Sequence, residues 1–475
     1  MPASSREISL RKSNGSGLYL FTLDPEGEPT RNWMADLKQA ALRIFRETFA
    51  AIDIPATMRR KLARAGSLIR VNGGLLDMAP FERICAISIG KASLALARGL
   101  SEVLSPDFRA EGIVVAPSHF GASHWGNLPQ GFRAIAAGHP VPDAGSFAAG
   151  RAILELLATT SERTLVFFLL SGGGSALVEQ PLDPAVELED MQGLNRWLVT
   201  CGASIDEINA VRKHLSAVKG GRLAVAASAA RKITFGVTDV PEGQESALAS
   251  GPTLPDPTTV SDACGVVSRY GLLAKLPARI RMQFEHPETI SETPKAGNPA
   301  FRGSAFQILL GRHDLFHPAH HAAEAAGFVT VCDNTADDWP IESAADFLLD
   351  ELAALKRENP SCPVAVIAGG ELSSPVRGDG VGGRNSAFVL HCVKRIAGRR
   401  IAVLSVGTDG IDGSSPAAGA VADGETSARA HSLGLDPGDY FRRSDSYTFF
   451  RKLDDAIETG PTGNNLRDLR VLLAE

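Results

Sequence analysis

Apolar residues recur at helical spacing from Trp33 to Leu62, through Leu37, Ala41, Ile44, Phe45 and Phe49, which predicts a helical opening punctuated by Pro55. The period then changes. Short apolar runs at 83–89, 112–116, 132–136, 165–170 and 232–238 read as strands. Helical patterns at 93–103, 146–159, 206–217 and 221–229 alternate with them. Such alternation predicts an α/β domain around a largely parallel sheet. The proline-rich stretch 256–298 shows little regular pattern and reads as a crossing between domains. A second α/β set is expected from strands at 306–310, 328–331, 364–368 and 401–406. No internal repeat or low-complexity tract interrupts this order. Two α/β domains with a cleft between them are the expected architecture.

Composition narrows the class. The 475 residues are 44% hydrophobic and 21% charged, enough for ordinary cores. Lys plus Arg number 48 against 54 Asp plus Glu, a formal charge of −6. That balance argues against a nucleic-acid partner, whose binding rests on neutralising phosphates, but not against a small anionic substrate. The longest dense apolar run, 165–170, is far short of the roughly 20 residues that cross a bilayer. Residues 1–31 are polar and lack a signal-peptide centre, so they read as a mobile extension. Six scattered cysteines read as thiols of a reducing compartment, and the expected location is cytoplasmic.

The glycine clusters carry the chemistry, because each follows an apolar strand, where ligands of open α/β sheets bind. Ile89-Gly90-Lys91-Ala92 places a lysine at a helix start beside backbone amides suited to anions. It is not a Walker A loop, since Ala92 stands where Ser or Thr is needed. Ser171-Gly172-Gly173-Gly174-Ser175 can bend into a nest of amides around a phosphate. The segment 207–223 carries Asn209, Arg212, Lys213, Lys219 and Arg222. On a continuous helix Arg212, Ser216 and Lys219 would share one face, as an anion clamp or a solvated basic surface. Asp239 ends a strand, where carboxylates bind metals, handle protons or cap helices. Further on, Glu371 follows Gly369-Gly370, Arg384 and Asn385 follow a glycine-rich loop, and Asp409 and Asp412 end another strand. Two acids, an arginine and an asparagine on neighbouring loops can supply metal ligation and charge neutralisation, which is most of what phosphoryl transfer needs. Gly378, Gly380 and Gly383 also satisfy G-x-G-x-x-G. They lie about ten residues after their strand, and the next strand-end acid, Asp409, comes late for a dinucleotide site. The histidines, His119, His124, His320 and His321 among them, form no metal-ligand pattern, and no Gly-x-Ser-x-Gly elbow is present.

Taken in order, SIGKAS, GHPVPDAGSFAAGRAILELL, LLSGGGSALVEQP, GASIDEINAVRKHLSAVKGGRLA, ASGPT, VRGDGVGGRN, SVGTDGIDG, SDSY and GPTGNN resemble the successive signatures of type II glycerate kinases, from about Leu37 to Leu473. The resemblance implies an N-terminal Rossmann-like α/β/α domain, set here at 32–280. It implies a smaller C-terminal α/β domain at 281–475, with a MOFRL-type part over about 364–473, and an active site between the two. The implied reaction moves the γ-phosphoryl of ATP to the 2-hydroxyl of D-glycerate with Mg²⁺, and the implied assembly is a homodimer. Lys91 matches the family's proposed catalytic lysine, Arg384 its active-site arginine, and Asp409 and Asp412 its acidic loop. On this basis Lys91 and Arg384 neutralise charge on the phosphoryl group and the glycerate carboxylate, and Asp239 or Asp409 binds Mg²⁺ or orients the hydroxyl. Ser171 to Ser175, Asn209, Arg212, Lys213, Lys219 and Asn385 are the substrate- and phosphate-binding candidates. Asp239, Asp409, Asp412 and Glu371 are the metal-ligand candidates. Three departures from the family pattern, Glu242-Gly243-Gln244-Glu245 after Asp-Val-Pro, the stretch 311–342, and Ser386 after GGRN, leave a related sugar acid open as acceptor. The rival readings are a hydroxypyruvate reductase, a label this family has carried, and a sugar-acid binding protein without catalysis.

Overall fold

The computed structural model describes residues 33–475 except Asp239, Pro241, Glu242 and Asn465. The expected extension at 1–31 and the candidate Asp239 lie outside the described residues. The opening pattern forms two helices, Trp33–Ala51 and Ile54–Leu62. Asp53 separates them and caps the second by accepting from the Ala56 amide, with Pro55 in the first turn, where its missing N–H leaves no bond unmade.

A hairpin, β1 (Leu68–Val71) and β2 (Gly74–Asp77), leads into the first large sheet. Its strands are β3 (Arg83–Ile89), β4 (Glu111–Pro117), β5 (Phe132–Ala137), β6 (Thr164–Ser171), β7 (Arg231–Val237) and β8 (Ala305–Leu310). They pair in the order β5-β4-β3-β6-β7-β8, all parallel. The chain builds outward from β3 to β5, then returns to the other side of β3 to begin β6. This doubly wound order opens a crevice at the carboxyl ends of β3 and β6. Helices cover both faces, so β6 is buried along its whole length.

The second sheet is mixed. Its strands are β9 (Val329–Cys332), β10 (Val364–Ala368), β11 (Ile401–Gly407), β12 (Gly419–Asp423), β13 (Ala456–Ile457) and β14 (Asp468–Ala474), in the order β13-β12-β11-β14-β10-β9. Only β9 and β10 run parallel.

Three expectations change. The strand at 306–310, read as the start of the second set, is β8 and pairs with β7 in the first sheet. Helix Trp33–Ala51, assigned with the N-terminal domain, packs instead on β11, β12 and β14. Leu37, Ala41 and Ile44 share one buried cluster with residues of both sheets. The stretch 256–298 is no mere crossing. Helices Val260–Arg269 and Ala278–Glu285 pack with Leu188–Thr200 and Ile205–Leu215 around Leu194, Val211, Val266 and Ile280. Pro277 stands at a helix N-cap and Pro287 in the first turn of a short 3₁₀ helix, so they start elements instead of breaking them.

Candidate active site

Four neighbouring strands of the first sheet, β5, β4, β3 and β6, send their carboxyl-terminal loops to one place. After β3, Gly90 takes φ +124° and packs on Ser171, where a Cβ would overlap the serine hydroxyl. That close approach lets the two loops lock together. The Ala92 amide donates to Ser171 Oγ at 3.0 Å and the Lys91 amide to the Gly172 carbonyl at 3.0 Å. Ser171 is therefore a buried clamp between loops, not an open ligand contact. Gly173, at φ +83°, turns the chain into the short helix Gly174–Leu177. Ser175 Oγ shares a 2.7 Å hydrogen bond with Ser250 Oγ, which donates to Asn209 Oδ1 at 2.8 Å. The ASGPT segment and Asn209 thus brace the glycine loop from behind.

Lys91 projects from this cradle to the second sheet, where its Nζ meets Asp409 Oδ2 at 2.9 Å. The other Asp409 oxygen accepts from the Ile411 amide at 3.2 Å. The C-terminal GPTGN loop closes over the same place, with the Thr462 amide donating to the Asp409 carbonyl at 3.1 Å.

Two histidines join the lysine. His139 follows β5 and His119 follows β4, with ring centroids 6.4 Å apart. Burial, the Lys91 charge and the His119 ring push the His139 imidazole down to about 4, against a pull from Asp409. Burial and Lys91 also lower His119. Sequence reasoning missed both as site residues. A lone histidine shows no periodicity, but each stands within two residues of the end of an apolar strand, and that was the available signal.

The remaining candidates divide. Arg384 opens helix Arg384–Arg395 and grips Asp468 with Nε at 2.6 Å and Nη2 at 3.1 Å, while Nη2 also reaches Glu371 at 3.0 Å. Burial alone would lower its pKa, but Asp468 and Glu371 hold it above the ordinary value. Asp412 is wholly engaged. Its carboxylate accepts from the Asn385 amide at 2.9 Å, the Ser386 amide at 2.8 Å and Ser386 Oγ at 2.5 Å. It caps the helix that carries Arg384, and burial raises its pKa to about 6 despite those donors. The structure thus gives Asp412 a cap's position, not a metal ligand's. Asn385 is buried and its Oδ1 accepts from Ser405 Oγ at 2.6 Å, so it supports the β11 loop from beneath. Among the described residues no group of three or more His, Cys, Asp or Glu side chains could hold a metal ion.

The basic segment does not form the expected single face. Its helix ends at Leu215 and Ser216 is extended, so Lys219 lies beyond it. Lys213 is buried against Asp256 at 3.1 Å, and Lys219 against Glu179 at 2.5 Å. Both are internal ion pairs. Arg212 differs: it is half-buried, and its Nε has no hydrogen-bond partner among the described residues. The glycines of the 378–383 loop also have internal reasons. Gly380 packs on Asp445 and Gly383 on Asp412, where any Cβ would collide. Those contacts account for a G-x-G-x-x-G match without a dinucleotide. A cleft of about 670 Å³ adjoins this loop, with Arg384, Arg377, Ile341, Val376 and Phe441 in its walls.

Removing the cap tests its part in holding Arg384. Asp412→Ala leaves two buried amides without an acceptor, and the expected loss is about 1–3 kcal/mol in urea unfolding. Turnover should fall as well, because the helix start that aims Arg384 loses its anchor.

Comparison with known proteins places these loops in a wider group. Residues 40–285 match a family described as a domain of unknown function (DUF4147), and residues 364–468 match the MOFRL family. The chain is 34% identical to D-glycerate 2-kinase of Thermotoga maritima over 91% of its length and 97% of that protein's. It is 36% identical to a putative hydroxypyruvate reductase of Agrobacterium vitis over 83% of its length and 88% of that protein's. A crystal structure of glycerate kinase from Thermotoga maritima superposes with a TM-score of 0.79 at 32% identity, covering 93% of this chain and all of that one.

Proposed function

This chain belongs to the glycerate kinase family of phosphotransferases, and we infer that its site passes the γ-phosphoryl of ATP to the 2-hydroxyl of D-glycerate. The observation that carries the reading is the position of Lys91. It stands at the switch point of the first sheet, between the Gly90 and Gly172–Gly174 loops, and faces Asp409 from the second sheet. A lysine held between a nest of glycine amides and an acidic loop is placed to meet a phosphate. ATP arriving there exchanges the Lys91–Asp409 contact for one between Lys91 and a phosphoryl oxygen. Arg384, held by Asp468 and Glu371 at the start of its helix, is the second cation of this reading. Arg212, half-buried with its Nε unpartnered among the described residues, is the candidate in this reading for the carboxylate of the acceptor.

Mg²⁺ enters the reading as the companion of ATP. The described carboxylates do not by themselves compose a coordination set: Asp412 is a cap, Glu371 pairs with Arg384, and Asp409 pairs with Lys91. A cytoplasmic setting is part of the same reading and agrees with six free cysteines. No helix among the described residues is long and apolar enough to cross a membrane.

The test is direct. Purified protein with ATP, Mg²⁺ and D-glycerate should give 2-phosphoglycerate and ADP, identified by NMR. Oxidation of NADH dependent on hydroxypyruvate, with no ATP consumed, would reject the kinase reading. Turnover of ATP only with another sugar acid would keep the chemistry and change the acceptor.

A further inference from the structure

We propose that the imidazole of His139 takes the proton of the acceptor hydroxyl as the phosphoryl group moves. The inference rests on the kinase reading above and deepens it by naming the base. The loop that follows β5 starts at the edge of the sheet, yet it reaches across β4 and β3 to the glycine loop after β6. A Cβ built on Gly173 would stand 3.0 Å from His139 Cδ2, 3.1 Å from its Nε2 and 3.6 Å from Lys91 Cγ. The imidazole and the lysine therefore flank the same glycine. The turn that brings the ring there is fixed from both sides: Gly138 packs against Val141 and Asp143, and Asp143 caps helix Ala144–Ala158 through Ser146.

The described carboxylates near the crevice are already engaged. Asp409 gives one oxygen to Lys91 and the other to the Ile411 amide. Asp412 holds the helix start, and both oxygens of Asp468 are taken by Arg384. His139 makes no hydrogen bond among the described residues, and its neighbouring aromatic group is the His119 ring. The groups that act on its charge are Lys91 from the β3 loop, His119 from the β4 loop and Asp409 from the second sheet. In the free enzyme this setting keeps the ring neutral, so a nitrogen lone pair is available. The triphosphate brings negative charge beside Lys91, which favours the imidazolium as it forms.

In the step, the acceptor O–H bond breaks and its proton passes to the imidazole nitrogen. The oxygen's electron pair forms the new bond to the γ-phosphorus. The bond from that phosphorus to the bridging oxygen breaks, and its electron pair leaves on ADP. Water removes the proton from His139 before the next cycle.

The experiment compares wild type with His139→Gln, which keeps much of the volume and a polar end but cannot take a proton at neutral pH. The expected loss in kcat is about 10²–10⁴-fold, with little change in KM for ATP or glycerate. The wild-type kcat/KM should fall on the acid side as the imidazole protonates, and the variant should lack that limb. A His139→Gln enzyme with wild-type kcat, or one that retains the same acid limb, overturns the inference while leaving the kinase reading in place. A wild type inert toward glycerate and every other hydroxy acid overturns both. Circular dichroism checks the fold, and His139→Asn serves if the glutamine variant does not fold.

Discussion

Lys91→Ala is expected to lower kcat about 10³-fold, the scale on which fixed cations stabilise a transferring phosphoryl group, while leaving stability nearly unchanged. The two halves of that expectation come from one geometry. The partner of Lys91 in the free protein is Asp409, and both side chains keep about a fifth of their surface in solvent. Such a pair contributes at most about 1 kcal/mol to folding. The same position, between the Gly90 turn and the Gly172–Gly174 loop, is where the charge acts once phosphates arrive. Lys91→Arg should not restore full activity, because a planar guanidinium cannot take the place of a compact ammonium beside Gly173. Steady-state kinetics and urea unfolding of the same preparation check both parts. A Lys91→Ala enzyme within tenfold of wild type would remove this residue from the reaction.

Lys219→Ala should do the reverse. Lys219 and Glu179 are each about 2% exposed at the side chain. Nζ donates to Glu179 Oε2 at 2.5 Å and to the Val178 carbonyl at 3.1 Å, and Ser216 Oγ donates to Glu179 Oε1 at 2.6 Å. Burial lowers the lysine pKa, and the carboxylate opposes it. Removing the lysine leaves a carboxylate in the interior without its counter-charge, at an expected cost of about 3–5 kcal/mol. The urea midpoint should drop accordingly, with kcat per folded molecule close to wild type. Replacing both partners, Lys219→Met with Glu179→Leu, should recover only part of the loss, because it removes the unpaired charge but leaves Ser216 Oγ and the Val178 carbonyl without their partners. If Lys219→Ala alone proves as stable as wild type, the pair is not closed as described.

These two lysines show what can be read from the chain. Lys91 and Lys219 are both candidates for anion binding, and no property of a lysine in sequence separates them. What separates them is burial, which depends on Glu179 arriving from the other side of the glycine loop. Asp412 and Asp409 repeat the lesson three residues apart: one turns inward to cap a helix, the other outward to Lys91. The strands of the first sheet are legible to within a residue or two, because a parallel strand buried on both faces is a continuous apolar run bounded by turns. Their order is not, and the order makes β3 and β6 neighbours and so joins Lys91 to the glycines. β14 goes unseen although it is central to its sheet, since Asp468 and Arg470 break its apolar run and leave only Val471 to Ala474 continuous. His139 stays hidden inside a string quoted only for its resemblance. Its chemistry depends on a loop reaching over two strands, a contact that no local pattern announces.

Helix Trp33–Ala51 has a consequence for synthesis. Its buried face packs on β11, β12 and β14, and β14 ends at Ala474. At roughly 5–20 residues per second, a ribosome needs on the order of tens of seconds between releasing that helix and completing the strand it covers. Until β11 and β12 are made, late in that interval, Leu37, Ala41 and Ile44 have no native partner in the second sheet. The nascent chain thus carries an early apolar face that stays partly uncovered until β14 is made, so the closing of the second half waits on a strand far along the chain.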